Sequence, residues 1–550
     1  MSFTDETLLE KRKGQEYFNE VDVSNEVTLL DEFKPYNDDN VMVEATDEHF
    51  YIEGYVVTDV EGRLTGQNHR GRYFFADGNK IYCYGYFPQE ESTYVKIHGD
   101  TIDDFVLLEV VSPDDNHDTL DSEHVEGVLN IDYENYKVYY EPCDLEMEDN
   151  FKGANKVPEN ITLIASHGGR LYLSGNEEDD DNVFISDVAN PFYYPTSLPI
   201  QLPPNSDKIV GMHVYDNSIV IGRRHDIHVI TGSTNNPELG ADIFQLRMLN
   251  THTGFANNNA VDIAHNYLFF LGSDGNAYAL SNAQNVERVL SSQIISKQLD
   301  LKKKPIDVEQ EDIDNACSAF VNDLWYIGIA DKMLVYSYRN QAWTMHNNMD
   351  ARVMYVYDYD LVWGTSDGRL VHFAEDEYLD FGKPYECHWH SKSYDMGKAS
   401  TYKQFREFYI VAHVFDDYDS DVDVLFEVDY ADVDDRVQIS NTMSKWGKAK
   451  WGDRFINRNI IQSLPFIIGQ RGRNIKIILS NSYFPHGEVN THYDLQHYIE
   501  RNDGVLVWVI DEEKYYLYMD REWHKMEDED LNQRMKIYQI NGDFEYRGKR

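Results

Sequence analysis

AHNYLFFLGSDGNAYALS, residues 264–281, has the form of a β-hairpin unit: a polar turn, an apolar strand, a second turn rich in Gly and Asp, and another strand. The pattern recurs. HGGRLYLSG begins at 167, YDNSIVIGRRHDIHVITG at 215, VNDLWYIGIADKMLVYSY at 321 and YDYDLVWGTSDGRLVHFA at 357, so successive units are separated by 48, 49, 57 and 36 residues. Recurrence at such intervals, with loops of variable length, predicts a divergent β-propeller in which each blade is a small antiparallel sheet. HRGRYFFADGNKIYCYGY, residues 69–86, fits the same template and carries candidate blade strands to before residue 150. The turns GSDGN (272–276) and TSDGR (365–369) place Asp-Gly between two strands. A positive φ at glycine costs little there, and a primed turn matches the strand twist.

Outward from these units the text changes on both sides. Residues 1–45 are polar and mixed in charge, with LLEKRKGQEYFNEV (8–21) as the one plausible helix, and are expected to form an extended N-terminal arm. Residues 46–150 are expected as an N-terminal β region contributing propeller strands, and 151–380 as the propeller itself. Residues 381–550 read as a separate C-terminal β domain of sandwich type, its strands signalled by VDVLFEV (422–428), RNIKIILSN (473–481), GVLVWVID (504–511) and KYYLYMD (514–520). The expected fold class is all-β: an irregular β-propeller followed by a β-sandwich-like domain.

The chain has 550 residues, 97 Asp plus Glu against 49 Lys plus Arg, a net charge of −48 and 40 tyrosines. So many aromatics exclude a disordered acidic polymer. Binding to nucleic-acid phosphates rests on lysines and arginines that displace counterions, and the excess of carboxylates argues against it. The same charge suits a surface past which a polyanion moves without sticking. Cys83, Cys143, Cys317 and Cys387 are scattered without a CxxC pair, which points to reduced thiols. MSFTDETLLEKRKGQEYF lacks the apolar core of a secretory signal, and no apolar run of 18 residues occurs, so membrane insertion is not expected.

No stretch specifies catalysis. NEEDDDN (176–182) lacks the alternating ligands and distal Glu of an EF-hand, so Glu177, Glu178, Asp179, Asp180 and Asp181 read as an acidic loop or channel surface. In CHWH (387–390), strand geometry puts His388 and His390 on one face and Cys387 and Trp389 on the other; HDIH (225–228) likewise separates its histidines. HExxH, GxSxG, Walker and dinucleotide-binding motifs are missing, and no catalytic residue, metal or cofactor is assigned. Trp446 and Trp451 bracket basic residues in WGKAKWGD and suit a ring stack or a subunit contact. Arg471 and Arg473 in GQRGRNIKI form a basic island suited to an acidic neighbour such as another copy of the chain.

GRLYLSG with NVFISDVANPFYYP (169–175 and 182–195), GFANNNAVDIAHNYLFFLGSDGNAYALS (254–281), YDMGKASTYKQFREFYI (394–410), the paired WG elements, RGRNIKIILSN and the terminal YQINGDFEYRGKR follow one another along the chain. In that order they resemble the β-propeller nozzle or tail-tube-tip (hub) proteins of tailed bacteriophages. The resemblance covers roughly residues 160–550 and is weak before residue 150. It implies a structural, non-catalytic protein of the virion tail, assembled in the host cytoplasm. It further implies a homo-oligomeric ring, commonly of six subunits, that extends the DNA channel below the portal and adaptor complex and passes the genome without sequence-specific binding. The alternative expectation is a propeller that binds host-surface glycans or degrades polysaccharide.

Overall fold

The computed structural model describes residues 2–3, 9–10, 12–18, 25–36, 39–86, 105–111, 127–132, 137–142, 157–175, 181–188, 190–194, 199–204, 207–232, 235–236, 241–242, 244–249, 253–281, 285–288, 308–375, 377–414, 422–429, 431–432, 437–439, 460–467, 470–481, 485–498, 505–519, 521–526 and 536–546. The chain divides into two units, Phe18–Val371 and the combination of Met1–Tyr17 with His372–Arg550.

The first unit is a β-propeller. Among its described residues, seven blade sheets follow one another along the sequence, with a small two-stranded sheet, Asn235–Asn236 and Ala241–Asp242, beside the fourth in the sequence. Their innermost strands are Val27–Phe33, Thr65–His69, Leu163–His167, Ile209–Tyr215, Val261–Ala264, Cys317–Val321 and Val353–Tyr357. They continue outward mainly through antiparallel hairpins, as in Val261–Ala264, Tyr267–Leu271, Ala277–Ser281 and Asn285–Arg288 of the fifth blade, while in the second Phe105–Val110 pairs parallel with Lys137–Pro142. The second blade is enlarged to six strands. In the seventh, Phe18 donates its N–H to the Leu370 carbonyl (2.9 Å).

The hydrophobic core lies in the seams between blades, which explains why the repeated strands read as continuous apolar runs. In Arg170–Ser174, Leu171 and Leu173 pack toward the second blade and Tyr172 toward the fourth. In Tyr267–Leu271, Leu268 and Phe270 join the seam with the fourth blade, whereas Phe269 and Leu271 join that with the sixth. A strand buried on both faces needs apolar side chains at every position.

Polar contacts also stitch neighbouring blades. Thr65 Oγ1 donates to Thr162 O (2.6 Å), Met212 N to Asn258 Oδ1 (3.0 Å), and Ser318 N to Asn259 O (2.8 Å). The circle closes where Val27 N donates to Thr365 O (3.2 Å) and Tyr355 OH to Glu32 Oε2 (3.3 Å). Closure demands a glycine at Gly364, because an added Cβ would stand 2.5 Å from Val27 Cβ.

The resemblance segment NVFISDVANPFYYP forms a structural joint. After strand Asn182–Ile185, Ser186 Oγ accepts from Leu171 N (2.9 Å), and Asp187 N donates to Tyr193 O (2.9 Å). The chain thereby doubles back and drives Phe192, Tyr193 and Tyr194 into the seam between the second and third blades. Buried Arg170 donates to Ser186 O at 2.7 Å and holds the same turn.

Three expectations change. The propeller begins inside the segment read as an arm: Val27–Phe33 and Val41–Thr46 are the first two strands of its first blade. The helix expected over residues 8–21 does not form in the described part, where Leu9–Glu10 and Gln15–Tyr17 are strands. The Asp-Gly turns are not the two-residue primed ones. Gly275 N donates to Gly272 O (2.8 Å) and Gly368 N to Thr365 O (3.3 Å), so each is a longer turn whose left-handed last residue is glycine.

The second unit is also all-β. One sheet has the order Ser2–Phe3, Leu9–Glu10, Lys536–Tyr546, Lys403–Val414 and Ile460–Ile467. A second runs His388–His390, Ile475–Asn481, Val422–Val428 and Ala431–Asp432. Phe408 of the first meets Phe426 of the second at 5.3 Å between ring centroids, as in a sandwich core. A third sheet, Pro485–Val489, Val505–Val509, Lys514–Met519 and Glu522–Lys525, buries Leu506, Leu517 and Met526 on one side and Val505, Val507 and Val509 on the other.

Candidate functional site

The innermost strands of the propeller stand around its axis, and a cavity of about 400 Å³ lies among them, lined from six of the seven blades. Its apolar wall includes Leu29, Val261, Phe320, Val353 and Met354; its polar groups are Asp31, Thr65, His213, Asn258, Asn259, Asp262, Ser318 and Tyr355. Among the described residues no Lys or Arg lines it.

Two carboxyl groups dominate the electrostatics. Asp31 accepts from Glu32 N (2.8 Å) and from Tyr73 OH (2.8 Å), while burial pushes its pKa up to about 6. Asp262 accepts from Ile263 N (2.6 Å) and from Phe320 N, and burial again pushes it up to about 6. At neutral pH both are charged, although the surroundings disfavour it. His213 is held down to about 4 by burial and is therefore neutral; its Nε2 is buried without a partner. The Ser318 side chain is 7 % exposed, and its Oγ is likewise unpartnered. A concave site with an apolar wall and convergent polar groups is the form of a small-molecule pocket.

Of the residues nominated from sequence, none of the described ones lines this cavity. Asp181 pairs with the Arg223 guanidinium, which is 1 % exposed and also donates to Pro203 O (2.9 Å); it is a counter-ion to a buried arginine. Glu177, Glu178, Asp179 and Asp180, with Trp446 and Trp451, lie outside the described residues. Arg471 and Arg473 do come together, on the second unit. Their guanidinium carbons stand 5.1 and 5.0 Å from the centroid of the exposed Tyr402 ring. Beneath them Lys403, fully buried, donates to the carbonyls of Lys398 (2.8 Å), Thr401 (3.1 Å) and Arg473 (2.6 Å). These bonds satisfy the ammonium and fix the platform.

Among the histidines, His388 and His390 share an exposed face with ring centroids 5.2 Å apart, and His390 Nδ1 lies 2.9 Å from Lys476 Nζ. His225 meets Asp207 at 2.6 Å, whereas His228 is buried 3.0 Å from Asp226. Among the described residues no group of three His, Cys, Asp or Glu is placed to hold a metal ion. Cys83, Cys317 and Cys387 are buried free thiols, with burial pushing the first two up to about 12; Cys143 lies outside the described residues.

Neither a protein-family model nor a curated protein matches the chain. Among solved structures it is similar to the computationally designed Ika8 protein (12 % identity, TM-score 0.34, 64 % of this chain and 98 % of that one). It is also similar to BBS1N, crystallised in complex with ARL6DN (8 %, 0.35, 66 % and 98 %). A third likeness is to the extracellular domain of BT4673 from B. thetaiotaomicron (10 %, 0.28, 95 % and 53 %). At these scores the class of the protein, a β-propeller joined to a second β unit, rests on its own strand order.

Proposed function

We propose that the chain is a structural component of a bacteriophage tail, a nozzle or hub subunit that assembles into a homo-oligomeric, six-membered ring below the portal and adaptor and takes part in genome ejection. The observation that carries this reading is the charge. The chain holds 97 acidic against 49 basic residues. Several of its arginines are spent internally, Arg12 on Asp380, Arg223 on Asp181 and Arg224 on Asp314. Such a surface offers a passing polyanion few cations with which to exchange its counterions, so it repels rather than retains.

The axial cavity bears on where DNA would run. At about 400 Å³ it has the volume of a small-molecule pocket, so a duplex would pass between copies of the chain and not along a propeller axis. Arg471 and Arg473, fixed on Tyr402 in an otherwise acidic protein, suit a contact with the carboxylate surface of a neighbouring copy. Reconstruction of virions by electron cryo-microscopy, with mass spectrometry of the purified particles, tests the assignment. The chain should appear as a ring about an axial channel, and its absence from mature particles overturns the proposal.

A further inference from the structure

We propose that the cavity on the propeller axis is a binding site for a small organic cation, a protonated mono- or diamine. The inference concerns a site inside one subunit and stands apart from the tail assignment. Asp31 comes from the first blade and Asp262 from the fifth, so the two carboxyl groups reach one cavity from separate parts of the ring. Their oxygens are met by backbone N–H groups and the Tyr73 hydroxyl, all neutral donors, and among the described residues no Lys or Arg shares the lining. Buried carboxylates ordinarily gain a cationic partner; the described lining supplies none, and Lys34, whose charge reaches Asp31, pairs instead with Glu32 at 3.1 Å.

Two residues of the lining carry further polar atoms that are unsatisfied. Ser318 Oγ and His213 Nε2 are buried without partners, and the first belongs to a residue 7 % exposed. A hydroxyl can accept from an ammonium, as can the ring nitrogen of a neutral imidazole when it is the unprotonated one. Phe320, Val353 and Met354 give methylene groups an apolar wall. A volume of about 400 Å³ lies within the range of small-ligand pockets.

Other ligand classes fit less well. An anion would meet two carboxylates and a neutral His213. A bare metal ion would lack a ligand set, since no group of three suitable side chains occurs among the described residues. A neutral polyol could use the hydroxyl and amide groups but would leave both carboxylates without a counter-charge.

Isothermal titration calorimetry on the full chain separates these cases, with 1,4-diaminobutane as the probe and 1,4-butanediol and magnesium chloride as comparators. At about 150 mM salt, where surface attraction is screened, the diamine should saturate a single site per chain with Kd at or below about 1 mM. The diol and magnesium should show no saturable site. Ser318→Met, which fills the cavity, and Asp31→Asn, which removes a charge, should each weaken diamine binding at least about tenfold; the circular dichroism and melting of each variant establish that it folds. If one variant fails to fold, the other decides together with the diol comparison. Absence of saturable diamine binding, equal binding of the diol, or binding unchanged in a folded variant overturns the proposal; many weak sites insensitive to both substitutions would mark attraction to the acidic surface alone.

Discussion

At the scale of single residues the propeller carries charges in places that cost stability, and Glu44 is the clearest. It lies in strand Val41–Thr46, paired across the first blade with Leu30 and Tyr51, and is only 2 % exposed. Burial pushes its carboxyl up to about 7. The folded chain therefore holds the Glu44 proton more tightly than the unfolded chain does. The penalty of the charged form is full above pH 7 and is relieved as pH falls toward the unfolded value of about 4.3. Glu44→Gln should raise stability by roughly 2 kcal/mol at about pH 8 and by little at about pH 4.5. Urea midpoints at the two pH values measure this, and an equal gain at both would show that ionisation is not the cause. Such roles are hidden in sequence. Asp181 stood out as one of a run of acids, yet its place is set by Arg223 in the next blade. Asp31, Asp262 and Ser318 share a cavity through ring closure, which no local spacing records.

Among elements, the inner hairpins carry a device that the sequence displays openly. Two-residue turns with both φ angles positive join the first and second strands at Arg70-Gly71, Gly168-Gly169, Asp216-Asn217, His265-Asn266, Asn322-Asp323 and Asp358-Tyr359. Each opens one of the repeat units read from sequence, and Asn, Asp, His and Gly are the residues that tolerate this geometry. Six of the seven blades were legible for that reason. The first was not: seven residues, 34–40, connect its first two strands in place of two, and Asp31, Glu32 and Glu44 interrupt its apolar strands. Residues 8–21 misled in the opposite way, because helix-favouring Leu9, Glu10 and Glu16 stand in strands, Leu9–Glu10 pairing with Lys536–Tyr546. Arg70 and Tyr359 are the exceptions among the turn residues, and Tyr359 is a bulky side chain at φ 68° that is 84 % exposed. It has backbone strain and little packing to lose. Tyr359→Gly should stabilise the propeller by about 1 kcal/mol in denaturant titration, and a loss of stability would mean that the ring makes a contact worth more than the strain.

For the whole molecule the governing quantity is the net charge of −48. Composition announces it, but only the structure shows how Arg12, Arg223 and Arg224 are drawn into internal pairs while Arg471 and Arg473 remain exposed on Tyr402. Copies of such a chain repel at long range even if a local guanidinium contact favours their union. The balance shifts with ionic strength. At about 20 mM salt, between the Debye lengths of about 30 Å at 0.01 M and 10 Å at 0.1 M, the full charge of one copy is felt by the next. At about 300 mM the repulsion is confined to a few ångströms, and short-range packing and bidentate pairs survive better than the distant field. Self-association followed by mass photometry should therefore strengthen from low to high salt and reach a plateau. Arg471→Glu combined with Arg473→Glu should weaken it throughout, because that change removes the attractive contact and adds four units of negative charge. Association that instead declines steadily with salt in the unaltered chain would show opposite-charge pairs, and not packing against a repulsive background, to be what joins the copies.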